Sequence, residues 1–250
     1  STLVLRVVFL LCHLEVDPKR LTVISFTNAS CHELRERLQR LLDFWHYPHD
    51  AHQCVRTFHA AMATLAKESL GNPRWFEQLD EPGTEPDNPL TGGRLRPAQQ
   101  RLLKQAYQNA YADDARFRAL THRLLKLPAP EEPPQGKAKA PLDACKLPGE
   151  FAALPLFELL HGQIDFAESL GIRLERLDMK ALGCAPRERD FIEAMQRFHQ
   201  YFSALLKSQG LISFNGAFAQ LSERLSSDSG KSGPALLALS HLLIDEFQDI

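Results

Sequence analysis

Apolar and polar positions along the chain fall into helical and strand periods. Residues 2–14 set Leu3, Val7, Leu10, Leu11 and Leu14 at the three- and four-residue spacing of one helix face. After Pro18, the β-branched run Leu21-Thr22-Val23-Ile24-Ser25-Phe26 predicts a buried strand. A helix follows with Leu34, Leu38, Leu41 and Leu42 on its apolar face, and Thr27 or Asn28 is placed to cap it. Cys54-Val55-Arg56-Thr57-Phe58 reads as a second strand, and residues 60–70 as a helix stopped by Gly71-Asn72-Pro73. The last apolar run, Leu242-Leu243-Ile244, ends in Asp245 and Glu246. That is the pattern of a buried parallel strand delivering acids to the carboxyl edge of a sheet, or of a core strand followed by a charged turn.

The middle of the chain has a different texture. Residues 72–97 are rich in Pro, Gly and acids and predict a long loop. Residues 99–127 form a helical stretch with Leu102, Leu103, Ala106, Ala110, Phe117, Leu120 and Leu124 as the buried set. Six prolines between Pro128 and Pro148 mark a linker. Helical patterns resume over residues 151–170 and 187–206, the second with a stripe of Phe191, Met195, Phe198, Phe202 and Leu205 that predicts core. Residues 73–210 therefore read as a helical insertion between two α/β segments. A loop at 226–233 precedes the final strand. Its Gly230-Lys231-Ser232 imitates the end of a phosphate-binding loop, but Leu225 stands where the first glycine is needed and no strand precedes it.

Composition narrows the class without choosing a function. The chain has 250 residues, 44% apolar and 24% charged, with net charge −2, so no global basic field advertises nucleic acid. Five dispersed cysteines without a C-x-x-C pair read as reduced thiols, not a disulfide framework. The opening apolar segment is too short to span a bilayer and contains Arg6 and His13. His46, His49, His52 and Cys54 are ligand types that suit zinc, but their spacing matches no template and reads better as a polar loop.

Four segments, in order, carry a resemblance to the UvrD/Rep type of superfamily 1 DNA helicases. Asp245-Glu246-Phe247-Gln248-Asp249 resembles the family's motif II. Ser25-Phe26-Thr27-Asn28-Ala29 with Glu33-Leu34-Arg35-Glu36-Arg37 looks like motif Ia, and Thr57-Phe58-His59-Ala60 matches the element that follows it. Gly210-Leu211-Ile212-Ser213-Phe214-Asn215 resembles the segment re-entering the first motor domain, with Ser213 and Asn215 where acids are usual. The resemblance implies a RecA-like parallel α/β domain from residues 1–72 and 211–250, with a helical subdomain, 73–210, inserted. It implies an ATP-dependent helicase using Mg²⁺ that moves 3′ to 5′ on single-stranded DNA or at a duplex junction, in replication or repair in the cytoplasm. By resemblance Asp245 holds Mg²⁺, Glu246 orients the hydrolytic water, and Gln248 senses the γ-phosphate.

The DNA path would be lined by Phe26, Thr27, Asn28, Thr57, Phe58 and His59. Exposed N–H groups at a helix start suit phosphate oxygens, and an aromatic can stack a base. On the residues alone, Thr27 and Asn28 are equally helix caps, and alternation does not decide which face Phe26 takes. Ser1 joins the cofactor-binding set because it would follow the lysine of Gly-Lys-Thr. No Walker A motif stands in these residues, so the expectation is a fragment, also lacking the second motor domain, that hydrolyses little or no ATP alone. The resemblance leaves two other readings: a motor subunit of a helicase–nuclease recombination complex, and an inactive relative that binds DNA or protein.

Overall fold

The computed structural model describes residues 2–47, 50, 54–79, 95–130, 139–146, 153–179, 181–226 and 233–246. In chain order the elements are α1 (Thr2–Val8), β1 (Leu21–Ser25), α2 (Asn28–Phe44), β2 (Val55–Thr57), α3 (Phe58–Leu70), β3 (Arg74–Trp75), α4 (Pro97–Asp113), α5 (Ala115–Leu125), β4 (Ala144–Cys145), β5 (Leu154–Pro155), α6 (Leu156–Ser169), α7 (Pro186–Ser208), β6 (Leu211–Ile212), α8 (Phe214–Ser226), α9 (Pro234–Leu237) and β7 (His241–Ile244). The protein is mixed α/β, mostly helical, with a small parallel sheet. It divides into two compact units, Ser1–Pro73 with Gln220–Ile250, and Arg74–Ala219.

The first unit is built on the sheet β2-β1-β7, parallel throughout. Val23 pairs with both Val55 and Leu243, and Ser25 pairs with Thr57, so the three strands end at one edge. All five β1 residues are buried, as expected of a strand paired on both sides. One core joins Val4, Val7, Val8 and Leu11 to Leu21, Val23, Leu34, Leu38, Leu42 and Val55.

Two expectations are corrected here. β7 is parallel but only half-buried, with Leu242 46% exposed, because among the described residues it has a neighbour on one side alone. Leu14 is exposed although it fits the helical stripe, because α1 passes into a π-helical turn at Phe9–His13. The wider turn, closed by Leu14 N–H donating to Phe9 O at 3.1 Å, rotates Leu14 off the buried face.

The second unit packs α4, α5, α6 and α7 around Leu103, Tyr107, Phe117, Leu120, Phe157, Leu160, Phe198 and Phe202. Two further two-stranded pairs belong to it, β3 with β6 in parallel and β4 with β5 antiparallel. The helical stretch over 99–127 is made of two helices. Asp114 adopts an extended conformation between them, and its carboxylate accepts from Phe117 N–H at 3.0 Å to cap α5. The buried guanidinium of Arg118 donates to Tyr111 O and Ala112 O, satisfying carbonyls that the end of α4 leaves open. Arg116–Glu193, Arg123–Asp190 and Arg197–Asp114 ion pairs fasten α5 and the turn before it to α7.

Candidate functional site

The residues singled out in the first unit meet at the carboxyl edge of its sheet. β1 ends at Ser25, and the chain turns outward through Phe26, 59% exposed, before α2 begins. Thr27 is the cap: its Oγ1 accepts from Ser30 N–H at 3.0 Å, while Asn28 is the first residue of the helix proper. β2 ends at Thr57, whose Oγ1 accepts from Ala60 N–H at 3.2 Å and caps α3. Phe58 and His59 open α3 with their rings edge to face, centroids 6.1 Å apart. Two capped helix starts therefore follow the ends of adjacent strands.

β7 brings the acids to the same edge. Asp245 N–H donates to Ile24 O at 2.8 Å, continuing the β1–β7 ladder one residue past the strand. Ser25 Oγ donates to Asp245 Oδ2 at 3.4 Å. Glu246 is exposed and holds a left-handed backbone, φ 50°, where the chain turns away. Below the edge, burial pushes the Cys31 thiol up, Arg35 opposes the shift, and Asp245 adds to it. Arg35 Nε and Nη2 both donate to Val55 O, at 3.0 and 2.7 Å, which ties α2 to β2.

The structure thus assembles Phe26, Thr27, Asn28, Thr57, Phe58, His59, Asp245 and Glu246 on one sheet edge. Ser1 and Gln248 lie outside the described residues, as do the Gly230-Lys231-Ser232 decoy and His49 and His52. Cys54 is buried, its thiol pushed up to about 12 chiefly by burial, and His46 is exposed. Among the described residues no group of three His, Cys, Asp or Glu side chains is arranged to hold a metal.

Sequence reasoning gave no role to Ser25 or to Arg35. The signal available for Ser25 was a hydroxyl at the end of an otherwise apolar buried strand.

A small parallel sheet flanked by helices, with acids at its carboxyl edge, places the chain among mixed α/β proteins. The family model of the UvrD/REP helicase N-terminal domain matches residues 1–250, and the chain belongs to that family. No curated protein matches the sequence. Family membership implies an ATP-dependent helicase in the protein that carries these residues, with DNA as its substrate and ATP and Mg²⁺ in general use. No helix among the described residues is long and apolar enough to cross a membrane.

Proposed function

We propose that these residues serve an ATP-driven, 3′-to-5′ single-stranded DNA translocase of the UvrD/Rep type, working in cytoplasmic DNA replication or repair. In this reading residues 1–72 and 211–250 belong to a RecA-like motor domain, and residues 73–210 to its inserted subdomain. The observation that carries the reading is the convergence of three parallel strand ends, at Ser25, Thr57 and Ile244, on one edge. Acids and capped helix starts are held there within neighbouring registers.

The donor set fits Mg²⁺ bound with a nucleotide. That ion keeps several waters and takes one or two carboxylates together with phosphate oxygens, instead of a closed protein cage. Asp245, with the Ser25 hydroxyl beside it, offers one such carboxylate. When bound, the ion neutralises charge on the phosphoryl oxygens. Glu246 accepts a proton from the attacking water at its carboxylate. Phe26 stacks a base, and the N–H groups of the Thr27 and Thr57 helix starts meet backbone phosphates.

These 250 residues hold no Walker A sequence and alone hydrolyse little ATP. In the intact parent, Glu246→Gln is expected to keep nucleotide binding and to lower DNA-stimulated hydrolysis by roughly two to four orders of magnitude. Phosphate release and fluorescent-nucleotide titration measure the two. Undiminished hydrolysis would remove Glu246 from its role.

A further inference from the structure

β1 carries two polar side chains in a fully buried strand, and both reach the β7 segment. Thr22 and Ser25 are 1% and 2% exposed. Buried hydroxyls find partners in folded proteins. Thr22 Oγ1 donates to Ala238 O at 2.8 Å, just before β7, and Ser25 Oγ donates to Asp245 Oδ2, just after it. The pairing makes this geometrically natural. In parallel register Leu21 faces His241 and Val23 faces Leu243, so residue 25 and residue 245 fall on the same side of the sheet. The Asp245 backbone is held independently, by its N–H on Ile24 O. Among the described residues, Ser25 is the side chain that hydrogen-bonds the Asp245 carboxylate.

We propose that Ser25 is a positioning residue, whose buried hydroxyl orients the Asp245 carboxylate and couples it to the strand that leads into Phe26, Thr27 and Asn28. This rests on the assignment of Asp245 to Mg²⁺. An ionised carboxylate has about four lone-pair sites, and one hydroxyl uses one of them. The rest stay open to a cation, while the torsion of the side chain is restrained. Groups that hydrogen-bond a ligating carboxylate change metal affinity when removed, typically by about 10- to 100-fold. Ser25 also sits one residue before Phe26, so a displacement of that exposed loop pulls on the hydroxyl that holds the acid.

The test is a Mn²⁺ titration of the parent protein with ADP, read by electron paramagnetic resonance, which needs no turnover. Ser25→Ala and Ser25→Cys are expected to weaken Mn²⁺ binding roughly tenfold, and Ser25→Thr to stay within about twofold of wild type. In an Asp245→Asn background, Ser25→Ala is expected to add no further loss. Equal Mn²⁺ affinity of Ser25→Ala and wild type overturns the proposal, as does an equal loss in Ser25→Thr and Ser25→Ala. If Ser25→Ala fails to fold by circular dichroism, Ser25→Cys, which keeps the volume, carries the comparison. Unfolding of both makes the residue purely structural and overturns the positioning role. A wild-type protein that binds no Mn²⁺ with ADP overturns the nucleotide reading itself, an outcome distinct from all of these.

Discussion

Glu77 is a carboxylate buried with only one of its oxygens satisfied. It lies in the turn after β3, and its Oε1 accepts from Phe214 N–H at 2.9 Å, at the start of α8. Its Oε2 is buried with no protein partner. Burial pushes this carboxyl up to about 7, the Phe214 N–H pulls the other way, and Asp165 and Glu168 on α6 add to the rise. The ordinary value is 4.5, so between that and about 7 the folded state keeps a proton the unfolded state has lost. Stability therefore falls as pH rises through this window, by an amount on the order of 3 kcal/mol. His161, also on α6, works in the opposite direction. Burial holds its imidazole below 6.5, against Asp165 and Glu168, so its contribution is present above that pH and is lost below it. The two windows overlap below 6.5, where the slopes oppose each other, so urea denaturation between about pH 5 and pH 8 is expected to show the wild-type loss on the alkaline side, from 6.5 up to about 7. Glu77→Gln is expected to abolish that slope while leaving the acid-side loss from His161. An unchanged alkaline slope in Glu77→Gln would exclude this origin.

At the scale of elements, the edge of the first unit depends on two threonine caps. Thr57→Ala removes the acceptor for Ala60 N–H and is expected to destabilise α3 by about 1 kcal/mol, with Thr57→Ser close to wild type. Equilibrium denaturation of the 250-residue chain measures it. Elements of this kind were legible in the sequence because a period and a cap spoke together. α2 has Leu34, Leu38 and Leu42 buried and Thr27 at its start, and α7 buries Phe191, Met195, Phe198 and Phe202 as its stripe indicates. The elements that escaped are those governed by tertiary pairing. β3, β4, β5 and β6 are two residues each, too short to show alternation. The break at Asp114 hides in a continuous apolar period, because a capping carboxylate in mid-helix looks like any exposed acid. The site was half legible. Motif strings marked Phe26, Thr57 and Asp245, whereas the Ser25–Asp245 contact spans 220 positions and is visible only in the register of the sheet.

At the scale of the molecule, the two units have separate hydrophobic cores, one around Leu38 and Val23, the other around Leu103 and Phe198. Separate cores lead to the expectation of two unfolding steps in calorimetry. Leu38→Ala is expected to lower one step and Leu103→Ala the other, each by about 2–5 kcal/mol of stability. A single transition shifted equally by both would contradict this. Within the first unit, Arg224 of α8 donates to Ser69 O near the end of α3, so the points where the chain departs and returns are neighbours. A short bridge from Ser69 to Arg224 is therefore expected to close the first unit's chain while its three strand ends keep their register.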